Sequence, residues 1–247
     1  MILLRAVIWA MVGLICVPLF VALLEILSYL GLDAAAMVLA AALTGATGAA
    51  FYGALQIAVV GTLTGLIVSS LHLALFPAPV RLWAVILVAA IAGLIIGALM
   101  RFPARFSEAV PAKSIVGLAA GAVVGVLLLV LQRSPLQLTQ IGILTAILIA
   151  ATGALYVVLF NAYGERLADL LPDRVTEALV CALLAAVPGA SLWLIAGPLL
   201  EVVDPAVKGF GEGVMSQLPA AWLGGVVGGF VTGGLMEAFG AKWTHAA

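Results

Sequence analysis

The chain has 247 residues, of which 66% are hydrophobic and 9% charged, and its net charge is −1. Soluble domains carry about 45–50% apolar and about 25% charged residues, so this composition excludes one and points to an integral membrane protein. The near-zero charge gives no basis for a nucleic-acid partner. Cys16 and Cys181 both sit in apolar runs and read as small hydrophobes, neither a disulfide framework nor a metal pair.

A membrane span needs about 20 apolar residues. The hydropathy pattern predicts spans at 5–30, 34–54, 57–76, 80–100, 113–132, 138–161, 175–197 and 219–239. The first opens on "MILLRAVIWAMVGLICVPLF", one positive charge before a long apolar run, as a signal peptide would. No A-x-A-like cleavage site follows, so it reads as a retained span. Pro18 interrupts it, and Glu25 lies toward its far end. A carboxyl inside a span is a functional candidate by default. Glu25 is therefore either a side chain reaching the headgroups or a cation or proton site.

The second and third spans share a stretch, residues 34–71, without a charge or histidine. At about 1.5 Å per residue one helix of that length would overrun a bilayer. A break is placed near Tyr52–Gln56, with a re-entrant segment as the competing reading. Thr47 lies in the second span and His72 near the end of the third, where an interfacial anchor is the simpler reading than a ligand. The fourth span carries Ala89, Ala92, Gly93 and Gly97, the last two spaced G-x-x-x-G. Such small residues let helix backbones approach closely in lipid.

The sixth span repeats a Thr-Gly pair, Thr152–Gly153, that matches Thr47–Gly48. Thr47 and Thr152 are thus either back-bonded to their own helices or a pair of hydroxyls flanking a pathway. The seventh span contains Pro188–Gly189 and Ser191. Proline removes a backbone donor, giving a kink or a broken, site-forming helix. The long connection 197–218 carries "PAVKGFGEGVM", read as a short interfacial helix or a cap over the bundle.

The eighth span, "WLGGVVGGFVTGG", has a thin face of Gly224, Gly225, Gly228, Gly229, Thr232 and Gly233, and a bulky face of Leu223, Val226, Val227, Phe230 and Val231. Glycine in a helix interior costs about 1 kcal/mol relative to alanine. Close packing is the simplest compensation, and the expected contact joins the thin faces of the fourth and eighth helices. Room for a solute, pigment or lipid chain is the functional alternative.

The two halves of the chain match span for span: "VGLICVPLFVALLEIL" over "VGLAAGAVVGVLLLVL", "ATGAAFYGAL" over "ATGALYVVLF", "SLHLALFP" over "SLWLIAGP", "AGLIIGALMRF" over "GGFVTGGLMEA". The expected architecture is an all-α, polytopic membrane bundle of about eight transmembrane helices in two parallel four-helix repeats, residues 1–106 and 107–247. In that scheme Arg101 and Glu237 are equivalent positions, and an ion pair between them would register the halves. Arg5, Arg101, Arg105, Lys113, Arg166, Arg174 and Lys242 fall on one side, and Arg81, Arg133 and Lys208 on the other. The excess of positive charge marks the cytoplasmic side, so both termini are expected in the cytoplasm and the protein in the plasma (inner) membrane.

No nucleophile–base set, metal set or cofactor motif appears, so an enzyme is not expected and no cofactor is implied. Charges are scarce at mid-depth, which argues against a proton pump, an ion-coupled carrier of charged substrates or a voltage sensor. The leading reading is a small channel or carrier for a neutral or weakly polar solute, with its pathway between the repeats. Thr47, Thr152, Glu25, Pro188 and Ser191 are the pathway residues, and Gly93, Gly97, Gly225, Gly229 and Gly233 the packing residues. The alternative is a non-catalytic structural subunit of a larger photosynthetic, respiratory or secretion complex. Membrane lipids are the expected partners in either case, with other membrane subunits or further copies of the chain beside them.

Overall fold

The computed structural model describes residues 2–53, 55–76, 81–100, 109–135, 140–171, 173–196 and 205–240. These residues are all-helical and form eight helices: α1 (Ile2–Tyr29), α2 (Asp33–Gly53), α3 (Leu55–Leu75), α4 (Leu82–Leu99), α5 (Val110–Arg133), α6 (Ile141–Ala168), α7 (Asp173–Ala196) and α8 (Pro205–Ala238). Among the described residues, seven helices, α1 to α6 and α8, meet the length and apolarity needed to cross a membrane. The chain is therefore described as a multi-pass membrane protein.

Hydropathy located the helices but not all of their ends. The stretch around 34–71 holds two helices, α2 (Asp33–Gly53) and α3 (Leu55–Leu75), each long and apolar enough to cross a membrane. The sixth helix runs on through "NAYGERLA", and the eighth begins at Pro205, so "PAVKGFGEGVM" is the first part of α8. Hydropathy reports contact with lipid, whereas a helix needs only its own backbone bonds and continues beyond the bilayer. At 34 residues and about 1.5 Å rise each, α8 is longer than the hydrocarbon core, about 30 Å thick. Pro18, Pro188 and Pro219 all lie inside continuous helices, so none of these helices is split into two. Between α1 and α2 the chain turns at Gly31 (φ 79°), a left-handed position that suits glycine.

Packing divides the bundle into two groups. Helices α1, α8, α6, α5 and α2 form a closed ring in which each packs on the next and α2 returns to α1. Helices α3, α4 and α7 pack mutually beside it. The ring's upper half is filled by Val17, Phe20 and Val21 of α1, Met37 of α2, Val124 and Leu128 of α5, and Leu144 of α6, all buried.

The glycine face of α8 does not find α4. Gly225, Gly229 and Gly233 lie against the backbone of Gly13, Trp9 and Arg5 on α1, and Gly224 and Gly228 lie against Gly142 and Ala146 on α6. The paired glycines thus make two adjacent stripes, one for each neighbour. Gly93 and Gly97 of α4 meet α7 instead: a Cβ at Gly93 would lie 2.6 Å from the Cys181 carbonyl oxygen, and one at Gly97 2.8 Å from the Ala178 Cα. A thin face specifies closeness but carries no partner identity, so two glycine stripes need not seek each other. The close pairs are also not interchanged by the span-for-span matches, since α1 packs on α8 while α5 packs on α2 and α6.

The order of these contacts gives helix direction. Along α1 toward its start, the partners on α8 run from Gly225 to Gly233, so the two are antiparallel. Arg5 and Glu237 form an ion pair at their shared end, which places the start of α1 and the end of α8 together. Glu237 thus has Arg5 as a partner; Arg101 lies outside the described residues.

Candidate functional site

The lower half of the ring is packed by Ala49, Val116, Ala120, Tyr156 and Phe160, but less completely. A void of ≈ 40 Å³ lies between α1, α2 and α6. On this measure one water occupies roughly 10–15 Å³. Helix periodicity builds its walls. On α2, Thr44, Gly48 and Tyr52 recur every fourth residue and so share one face. On α6, Leu148, Thr152 and Tyr156 do the same, with Gly153 beside them. Trp9, Val12 and Cys16 of α1 complete the enclosure. The Trp9 and Tyr52 rings stack across the α1–α2 gap, with centroids 5.9 Å apart and an interplanar angle of 25°. Tyr156 stacks on Phe160 one turn along α6.

Glycine makes room for those rings. A Cβ on Gly153 would meet the Trp9 indole at 2.7 Å, and one on Gly48 would meet the Cys16 sulfur at 3.1 Å. The void reaches from Tyr52, next to the last residue of α2, to Thr44, nine residues from that helix's end. That is about 13 Å of depth, near the middle of a hydrocarbon core about 30 Å thick. Beyond Thr44 the packed side chains around Phe20 and Leu128 close the ring.

The threonine hydroxyls of the void differ from the bundle's back-bonded threonines. Thr47 donates to the Leu43 carbonyl at 2.8 Å, Thr232 to Gly228 at 2.6 Å, and Thr145 to Ile141 at 2.9 Å and to Ala221 of α8 at 3.0 Å. These are the back-bonds and one interhelical bond expected of threonine in lipid. The Oγ1 atoms of Thr44 and Thr152 are buried and have no partner, although Thr44 is only 2% exposed. Most buried polar groups are hydrogen-bonded, and an unsatisfied one costs about 1–3 kcal/mol. Ser69 of α3 and Ser114 of α5 also lack a partner, but only Thr44 and Thr152 line one cavity together, where a polar group could meet both.

The residues singled out by sequence are distributed unevenly around this site. Thr152 lines the void, whereas Thr47 is turned away and satisfied by its own helix. The hydroxyl that faces the void from α2 is Thr44, one turn earlier. Glu25 stands near the far end of α1, where its carboxylate accepts a hydrogen bond from Gln217 of α8. Pro188 is buried in α7, and a Cβ on the adjacent Gly189 would lie 2.7 Å from the Ser69 hydroxyl of α3. The Ser191 side chain lies outside the described residues. Trp9, Cys16, Tyr52 and Tyr156 were not singled out as a site. The fourfold spacing of threonine, glycine and tyrosine on α2 was the available signal, and it is invisible when helices are aligned only for overall similarity.

No family model, curated protein or solved structure matches this chain. The functional reading therefore rests on the cavity and its chemistry.

Proposed function

We propose that the protein is a small, non-enzymatic membrane transport protein, a channel or carrier for a neutral or weakly polar solute. The observation that carries this is a mid-depth cavity with two unpartnered threonine hydroxyls, lined by α1 and α2 from the first half of the chain and α6 from the second. The pathway then runs between the halves. Among the described residues, the lining holds no aspartate, glutamate, lysine, arginine or histidine. An ion would lose its hydration there without a counter-charge, which favours an uncharged cargo. The packed side chains around Phe20 and Leu128 act as the closed side of an alternating or gated path. The lysine and arginine distribution supports a plasma (inner) membrane protein with both termini cytoplasmic, and the cavity then opens toward the cytoplasm.

The test is solute flux into proteoliposomes, read by light scattering with a panel of small uncharged solutes. The reading expects permeability above empty liposomes for at least one solute. It also expects loss of that flux when Cys16, which lines the void, is modified by a small thiol reagent in a Cys181→Ser background. No flux for any solute, together with a fixed set of other subunits after mild detergent extraction, would replace transport with the structural-subunit reading.

A further inference from the structure

The cavity's chemistry narrows its occupant. Its volume of ≈ 40 Å³ equals about three waters, or a solute of about three to five non-hydrogen atoms. Thr44 and Thr152 each offer one donor and two acceptor sites, and neither hydroxyl is engaged by protein. The remaining walls present mainly apolar surface, including Val12, Ile149 and the ring of Tyr156, with Trp9 and Tyr52 toward the open end.

We infer that this cavity binds a short neutral amide or monohydric alcohol, with its polar group between the Thr44 and Thr152 hydroxyls and its hydrocarbon end against the aromatic wall. The inference rests on the transport reading above, because it names what that pathway carries. A purely apolar occupant, such as a lipid chain end, leaves both hydroxyls unsatisfied in a buried site. A polyol brings more hydrogen-bonding groups than two threonines can meet. One water bridging the two hydroxyls has only the minimum of two polar partners and leaves most of the void, and its apolar lining, without contacts. A solute with one polar group and a short apolar tail satisfies both surfaces together.

The experiment uses the full chain in lipid nanodiscs and saturation-transfer NMR, with empty nanodiscs subtracted. The probes are propanamide and 2-propanol, against propionate and glycerol. Binding of the first two and not of the second two is expected. Thr44→Val combined with Thr152→Val removes both hydroxyls at nearly constant shape, and binding should weaken roughly tenfold or more. Thr47→Val, which alters a hydroxyl outside the cavity, should bind as the unaltered protein does. The thermal midpoint of the double valine variant should be unchanged or raised, because two unsatisfied buried groups are removed, and this shows that the variant is folded. Equal propanamide signals in the double valine and unaltered proteins overturn the inference, as does a glycerol signal that matches propanamide. Binding lost in the double valine variant but unaccompanied by flux keeps the site and removes the transport reading. Flux that survives the double valine change keeps transport and removes this site.

Discussion

Helices α7 and α8 solve the same packing problem in opposite ways. Each lies between one antiparallel and one parallel neighbour: α8 between α1 and α6, and α7 between α4 and α3. In the α8 group the central helix carries most of the glycines, meeting one on each neighbour at Gly13 and Gly142, and its doubled G-G pairs make one stripe for each neighbour. In the α7 group the neighbours carry them, as Gly61 and Gly65 on α3 and Gly93 and Gly97 on α4, and α7 presents Cys181, Leu184 and Ala185 to α3 and Ala178, Cys181, Ala182 and Ala185 to α4. With no hydrophobic force between helices in lipid, close van der Waals contact must hold them together. The difference shows that the combined thickness of a seam matters, not which helix is thin.

The largest effect should come from filling the α8 seam. A Cβ at Gly229 already collides with the Trp9 carbonyl and would lie 2.9 Å from the Ala10 Cα, and backbone cannot swing aside. Gly229→Leu should therefore abolish the folded state in detergent, since overpacking costs about 1–3 kcal/mol even where side chains can adjust. Leu223→Ala, at a position 69% exposed on the opposite face, should leave the thermal midpoint nearly unchanged. Similar midpoints for the two variants would show that the α8 seam is not a tight contact.

This comparison also shows what the sequence could and could not convey. Apolar run length located the eight helices, because satisfying backbone groups in lipid requires helices of bilayer length. The glycine stripes on α4 and α8 were readable as thin faces. Their partners were not, because Ala178, Cys181, Ala182 and Ala185 look like ordinary apolar filler until Gly93 and Gly97 are laid on them. At the cavity, Thr152 was legible as a mild polar group at depth. Its counterpart was not, since Thr44 and Thr47 differ only in whether the hydroxyl turns back on its own helix, and that depends on what lies opposite.

A middle-sized effect should separate the dry seams from the cavity wall. In the α7 seam, a Cβ on Gly97 would lie 2.8 Å from both the Ala178 Cα and the Cys181 Cβ. Gly97→Ala should lower stability by about 1–3 kcal/mol, measured as a fall in thermal midpoint. Gly48→Ala adds the same methyl beside the cavity, where the nearest atom is the Cys16 sulfur at 3.1 Å. That side chain can give, so the midpoint should fall less. Access to Cys16 should fall more, read as slower modification by a small thiol reagent. If Gly48→Ala costs as much as Gly97→Ala, the void between α1, α2 and α6 is packed as densely as the seams.

The smallest expected effect concerns the ion pair where α1 and α8 end together. Arg5 and Glu237 are 29% and 19% exposed, so the pair is neither buried nor free in solvent. Exposed pairs contribute about 0–1 kcal/mol, and removing one partner of a fully buried pair costs about 3–5 kcal/mol. A single reversal, Arg5→Glu or Glu237→Arg, should fall toward the lower range, near 1 kcal/mol. The seam above it, Gly233 against the Arg5 backbone, fixes the two helices whether or not the charges match. The charges then set register at the helix ends while the glycines supply cohesion. A double-mutant cycle separates those roles: the swapped protein, Arg5→Glu with Glu237→Arg, should recover most of what either reversal loses. The coupling should shrink as salt is raised, because partly exposed charges are screened. A swap that recovers nothing would mean that each charge answers to headgroups and not to the other. The register of α1 on α8 would then rest on the glycine stripe alone.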